Sequence, residues 1–187
     1  MLRGEHVGLR ARHTKDIPIL ETELYGDVVT RSRGSGRPWI PISPDTSASP
    51  YAIADPRDTV AEFSVVRLSD GELVGEAGLW GIDLHNRNGH PGLSLRPDLR
   101  GKGHGVDVVR VLCTYGFAVR GLHRLQIETL ADNTAMIRTA IAAGFVIEGT
   151  LRSGAWAAGT FVDEVILGLL ADEWTQPEED GPKLMAE

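Results

Sequence analysis

Six consecutive residues, Arg100-Gly101-Lys102-Gly103-His104-Gly105, have the make-up of an anion-binding turn. Glycine at 101, 103 and 105 leaves no Cβ to hold a bound group away from the backbone. An apolar stripe at helical spacing follows over 106–120, so the first free N–H groups of a helix open directly out of the turn. Those groups carry partial positive charge, worth about 0.3–1 kcal/mol to a negative group beside them. Arg100 and Lys102 add fixed charge, and a phosphate-bearing cofactor is the natural guest; the plain alternative is a tight turn that only starts a helix. A dinucleotide fingerprint is excluded, because the glycine required at its sixth position falls on Val106 or Val108. A nucleotide-triphosphate loop is excluded as well, because Lys102 is followed by Gly103 rather than serine or threonine.

The elements around this turn follow from apolar spacing. Residues 6–12 alternate as a first strand with Val7, Leu9 and Ala11 on one face, and a helix starts at Asp16 with Pro18 in its first turn. Over 31–56 regular patterning stops among arginines, glycines and prolines, which reads as a substrate-side loop or a mobile insertion. Strands over 62–68 and 72–82 form a hairpin around Asp70-Gly71, and a polar loop and a strand over 90–96 lead into the glycine turn. The helix over 106–120 presents Val109, Leu112, Cys113, Gly116 and Phe117 as one stripe and stops at Gly121. A strand follows over 124–130, with Leu125 and Ile127 inward. Asp132-Asn133-Thr134 opens a short helix over 135–143 whose face is Met136, Ile137, Ala140 and Ile141. Two strands, 145–151 and 160–170, close the domain. The order predicts an α/β protein of α+β type, a mixed central sheet of about six to seven strands with helices on both faces.

A chain of 187 residues is read as one domain over 1–170, with an acidic, loose tail over 171–187. Its formal net charge of −7 argues against a nucleic-acid-binding surface built on Arg31, Arg33, Arg37 or Lys102 and favours a cationic partner. The single cysteine, Cys113, rules out an internal disulfide and sits on an apolar stripe as a buried thiol. No apolar run approaches the length of a membrane span and no signal peptide is visible, so a soluble cytoplasmic protein with no membrane partner is expected. The six histidines have no metal-ligand spacing, and no metal is expected.

Arg100 to Gly105 also matches Arg/Gln-x-x-Gly-x-Gly/Ala, and with it the chain resembles the GNAT superfamily of acyl-CoA-dependent N-acyltransferases. Four further pieces fall in family order. They are Asp70-Gly71-Glu72-Leu73-Val74-Gly75, the spacing of Asn133 to Gly144-Phe145, and two stretches similar to the RimJ/RimL branch, Glu148-Gly149-Thr150-Leu151-Arg152 and Phe161-Val162-Asp163-Glu164-Val165. The resemblance spans about residue 62 to 170 and implies the GNAT fold with acetyl-CoA as co-substrate. The backbone of Leu93, Ser94 and Leu95, leading into Arg96, would pair with the pantetheine arm where the strand splays from its neighbour. Arg100, Gly101, Lys102, Gly103, His104 and Gly105, with the Val106 amide, would hold the pyrophosphate. Asn133 would bond the arm and Arg138 would reach the adenosine phosphate; their ordinary alternatives are a helix cap and a solvated helix face.

The reaction implied is direct attack of an amine on the acetyl thioester, with a small-molecule or peptide amine as acceptor. Something must take the amine's proton; a carboxylate or a water it polarises would serve, help typically worth about 10²–10⁴-fold. Glu76 is the first choice, mid-strand on the face opposite Ala77 and Leu79, its alternative being a carboxylate paired to an arginine; Ser94, Asp83 and His85 are further candidates. Trp39, Tyr51 and Trp80 would line an acceptor pocket or the core. The chain departs from the family pattern where relatives place a serine three residues after the asparagine or a tyrosine seven after it: Met136 and Ala140 stand there. A CoA-binding module without turnover is the rival reading, and a homodimer is a further expectation from the branch.

Overall fold

The computed structural model describes residues 1–34, 38–43 and 46–175; residues 35–37 and 44–45 of the proline- and glycine-rich stretch, and most of the acidic tail, lie outside the described residues. Eight strands make one sheet: β1 (Leu2–Arg3), β2 (Val7–Arg10), β3 (Ala61–Arg67), β4 (Leu73–Asp83), β5 (Asn88–Leu95), β6 (Arg124–Leu130), β7 (Val146–Ala157) and β8 (Thr160–Leu170), in the order β1-β2-β3-β4-β5-β6-β8-β7. The count exceeds the expected six to seven because Leu2 and Arg3 pair with Leu9 and Gly8 and add a short edge strand. Every neighbouring pair is antiparallel except β5 with β6, which run parallel.

One face of the sheet carries α3 (His104–Thr114), prolonged by a π-helical turn over Tyr115–Val119, and α4 (Thr134–Ala142). Val65, Leu79, Val108, Leu112, Leu125, Ile127 and Leu167 meet there in the main core. Burial pushes the Cys113 thiol, in the same layer, up to about 12, so it is a core group with no nucleophilic character. The other face is covered by a helical run over 14–25 that passes through α1 (Ile17–Leu20), and by α2 (Val28–Gly34). Leu20 and Leu24 pack there with Tyr51, Val66 and Leu73.

Four local expectations change. β2 ends at Arg10 rather than running to residue 12, because Arg10 turns its guanidinium onto the buried Asp16 at 2.6 Å. Asp16 keeps its expected place at the start of α1, with Pro18 in the first turn, and also clamps the chain by accepting from Ser64 Oγ at 2.8 Å and from the His13 N–H at 2.9 Å. Residues 31–34 are helical, in α2, where an irregular segment was expected. Ile141 is half exposed on α4 instead of joining its buried face. The segment after β8 is anchored at its start, where Trp174 lies 5.4 Å from the Phe117 ring. Among the described residues no helix is long and apolar enough to cross a membrane.

Candidate active site

The site is a gap in the sheet. β5 and β6 pair only at Asn88↔Arg124 and Gly89↔Leu125, while β5 stays on β4 as far as Leu95 and β6 stays on β8 along its whole length. Beyond Gly89 the two strands diverge. The Arg96 N–H donates to the Val74 carbonyl at 2.9 Å, and strand alternation then turns the backbone polar groups of Leu93 and Leu95 away from β4, toward the gap. Pro91 occupies the same parity and brings no N–H to that side, so the ladder cannot continue where the gap begins. Ser94 has the opposite parity: its backbone serves β4 and is not available to an arm lying in the gap.

The wedge opens into a cavity of about 840 Å³ walled by Pro91, Gly92 and Leu93 of β5 and by Ile127, Glu128, Thr129 and Leu130 of β6. Trp39, Trp80 and Trp156 supply aromatic surface, and Arg33 of α2 closes one side through an ion pair to Asp132. Tyr51, expected beside Trp39 and Trp80, is wholly buried in the second core cluster instead.

The glycine turn lies at the foot of the gap. Gly101 and Gly103 have φ of +72° and +83°, a region that favours glycine, and nothing lies within 4 Å of where their Cβ atoms would be. The third glycine differs: Gly105 has no positive φ, and a Cβ there would make ordinary van der Waals contact with Thr139 of α4 at 3.4 Å. Arg100 is exposed and folds its Nε onto the Leu95 carbonyl at 2.9 Å, and Lys102 is exposed. His104 is buried with no partner for either ring nitrogen among the described residues, and burial leads the nearby positive charges in holding its pKa below the usual histidine range. Val106 sits in the first turn of α3.

Arg96 is the clearest correction among the expected cofactor residues. Its guanidinium is taken up by Glu23 at 2.8 Å, Glu72 at 3.3 Å and the Leu73 carbonyl at 2.7 Å, which ties the helical run over 14–25 to the β3–β4 hairpin. Asn133 caps α4, accepting from the Met136 N–H at 3.2 Å and donating to Thr129 Oγ1 at 3.0 Å, and it also lines the cavity. Arg138 is exposed one turn further on. Met136 is on the cavity wall, whereas Ala140 is wholly buried in the core and does not reach it.

The carboxylates are arranged differently from the expectation. Glu76 meets Arg12 Nη2 at 3.3 Å, and that guanidinium lies 5.3 Å from the Tyr51 ring centroid. Burial pushes the Glu76 pKa up, with Arg12 and Arg31 opposing. It stands on one rung with Ser64 and Ser94, away from the cavity wall. Asp83 accepts from the His85 and Asn86 N–H groups and shapes the β4–β5 turn. Two other carboxylates face the cavity, Glu128 and Glu164. Their rungs, Glu128↔Ile166 and Leu130↔Glu164, put them diagonally on one face of β6 and β8. Burial, and then the charge of Glu128, push the Glu164 pKa up. Gln126 Nε2 donates to Glu128 Oε1 at 2.6 Å, and His90 Nδ1 lies 3.8 Å from the same oxygen. The signal for both was the outward phase of two alternating strands, which marks the solvent face and gives no hint that the sheet opens there.

A gap between parallel strands that ends on a glycine turn and a helix start agrees with the comparison to known proteins. Residues 6–146 match the acetyltransferase (GNAT) domain, and the chain belongs to that family. It is 30% identical over 112 residues to an uncharacterized N-acetyltransferase, p20, of Bacillus licheniformis, covering 60% of this chain and 63% of that protein's length. Among solved structures, a spermidine N-acetyltransferase from Vibrio cholerae, in complex with CoA and spermine, superposes with a TM-score of 0.79 at 21% identity, over 89% of this chain and 96% of that one. A probable acetyltransferase gives a TM-score of 0.77 at 26% identity, over 91% and 96%.

Proposed function

We propose that this chain is an N-acetyltransferase that moves the acetyl group of acetyl-CoA to a cationic primary amine by direct attack. The observation that carries the reading is the pair of unpaired strand edges, β5 and β6, which diverge beside a cavity with two carboxylates, β5 leading into the open glycine turn. Acetyl-CoA supplies the activated thioester. The backbone groups of Leu93 and the N–H of Leu95, whose carbonyl Arg100 holds, meet the amides of its arm, and the turn from Arg100 to Gly105 with the Val106 amide receives its pyrophosphate. Asn133 and Arg138 keep their expected roles toward the arm and the adenosine phosphate. Glu128 and Glu164 attract and orient the ammonium against the aromatic walls. Glu76 and Ser94 act from behind the wall, holding Arg12 and the β4 rung. The acceptor class is supported by the acidic cavity, and the spermine bound by the Vibrio cholerae protein makes polyamines the first compounds to try. The stretches at 148–152 and 161–165 support the RimJ/RimL-like branch within the family.

The rival reading, a CoA-binding module without turnover, is favoured by Met136 and Ala140, neither of which can protonate a leaving thiolate. One pair of measurements separates them. Acetyl-CoA at about 100 times its dissociation constant adds roughly 2.7 kcal/mol of stability and raises Tm; Gly103→Glu, which sets charge and bulk in the turn and strains a positive φ, abolishes the rise. A panel of spermidine, putrescine, an aminoglycoside and a peptide with a free N-terminus then reports transfer by thiol release. A Tm rise with no transfer to any of them establishes the binding module, and no Tm rise removes both readings.

A further inference from the structure

We infer that Glu128 is the general base of this reaction and that His90 carries the proton from Glu128 out to solvent. The inference rests on the acetyltransferase reading and assigns its proton path. Among the described residues two carboxylates face the cavity, but a base that turns over must shed the proton it accepts, and of these two only Glu128 has a titratable ring of a described residue beside it. His90 Nδ1 is buried, has no hydrogen-bond partner among the described residues, and stands 3.8 Å from Glu128 Oε1. The ring is held in place by stacking on Trp80, with centroids 4.3 Å apart and planes within 22°. Trp80 is itself a wall of the cavity, so Glu128, His90 and Trp80 form one unit across β4, β5 and β6. Burial leaves His90 neutral near pH 7: its pKa lies below the usual value, with Glu128 raising it and Arg124 lowering it. The side chain keeps 20% exposure, which gives the ring an outlet to water.

The proton balance is simple. The ammonium of the acceptor gives a proton to Glu128, and the free amine attacks the thioester carbonyl; as the tetrahedral adduct collapses the C–S bond breaks, and the second proton lost by the amine nitrogen passes to the leaving CoA thiolate. The protonated Glu128 hands its proton to the Nδ1 lone pair of His90, and Nε2 releases one to solvent, restoring the carboxylate. Hydrogen bonds between catalytic groups are commonly long before substrate arrives, and the 3.8 Å separation is of that kind. The groups facing His90 are Glu128 and Arg124 on β6 and the uncharged Trp80 on β4; Glu164 on β8 acts through Glu128.

The experiment has two arms. The first follows the His90 ring by NMR through a pH titration in the parent protein and in Glu128→Gln. Removing the carboxylate lowers the His90 pKa further; an unchanged titration shows the two groups uncoupled and overturns the relay whatever the kinetics show. The second measures kcat/KM against pH with acetyl-CoA and spermidine, or with the best acceptor of the panel above. Glu128→Gln lowers kcat/KM by about 10²-fold or more. His90→Ala lowers kcat by about tenfold, leaves KM for acetyl-CoA unchanged, and is rescued by added imidazole. It also loses the part of the acid limb that belongs to the ring. A drop that imidazole does not restore and that leaves the pH profile's shape unchanged marks a packing role and overturns the proposal. If Glu164→Gln carries the large loss and Glu128→Gln does not, the base is the other carboxylate. A parent protein that acetylates none of the panel, with NMR coupling intact, removes the acetyltransferase reading and the relay's purpose together.

Discussion

Asp107 and Asp16 show how much of this chain's buried charge is structural. Asp107 accepts from the N–H groups of Glu5, His6 and Val7 at 3.0, 2.7 and 2.9 Å, so a side chain of α3 holds the start of β2. Asp107→Asn replaces one acceptor by donors facing these N–H groups and costs about 1–3 kcal/mol, read as a Tm several degrees lower. Burial alone would raise the pKa of Asp16, but hydrogen bonds from Arg10, the His13 N–H and Ser64 outweigh it and hold the carboxyl well below the usual range. A depressed folded-state pKa gives stability that is present in full above the unfolded value, near pH 4, and lost as pH falls below it. Asp16→Asn therefore flattens the acid side of the stability curve, a change that unfolding midpoints between pH 2 and 7 resolve. Neither role was legible in the sequence, because an Asp in the first turn of a helix and one just before a helix look like ordinary solvent-facing or capping residues. Glu76 misleads for the reverse reason: its strand phase is read correctly, but Arg12, the residue that engages it, lies 64 positions away in sequence.

At the level of elements, the hairpin at Asp70-Gly71, the helix after the glycine turn and the strand over 124–130 were all readable, since each is written in local periodicity and turn chemistry. The gap was not readable from periodicity, because it depends on which strands are neighbours. Its backbone makes a direct prediction. In the free protein the amides of Leu93 and Leu95, which point into the gap, exchange with solvent faster than that of Ser94, which points at β4; acetyl-CoA slows the first two and leaves the third unchanged. Hydrogen exchange resolved by residue checks this, and equal protection of all three in the free protein would mean that the strand edge is not open. The Arg33–Asp132 pair ties α2 to the turn before α4 across the cavity. An exposed pair is worth about 0.2–1 kcal/mol, so Arg33→Ala raises KM for the acceptor by up to about fivefold and leaves kcat unchanged. A fall in kcat would place Arg33 in the chemistry instead.

For the molecule as a whole, composition and element order sufficed for a mixed sheet with helices on both faces; the eighth strand escaped because a two-residue edge has no period to detect. The stretch over 31–56 escaped in part because its prolines and glycines hide a helical start at Val28–Gly34. Most sheets have two edges, but this one has four, the outer pair at β1 and β7 and an inner pair that Pro91 keeps from healing. An inner edge recognises anything that presents amides in an extended line, whatever hangs from the end of it. Free CoA should then raise Tm nearly as far as acetyl-CoA does, and a longer acyl-CoA should bind about as well. Selection among acyl groups falls to Trp80, Trp156 and the floor of the cavity, so the chain reads its donor by the handle and its cargo by the room left over.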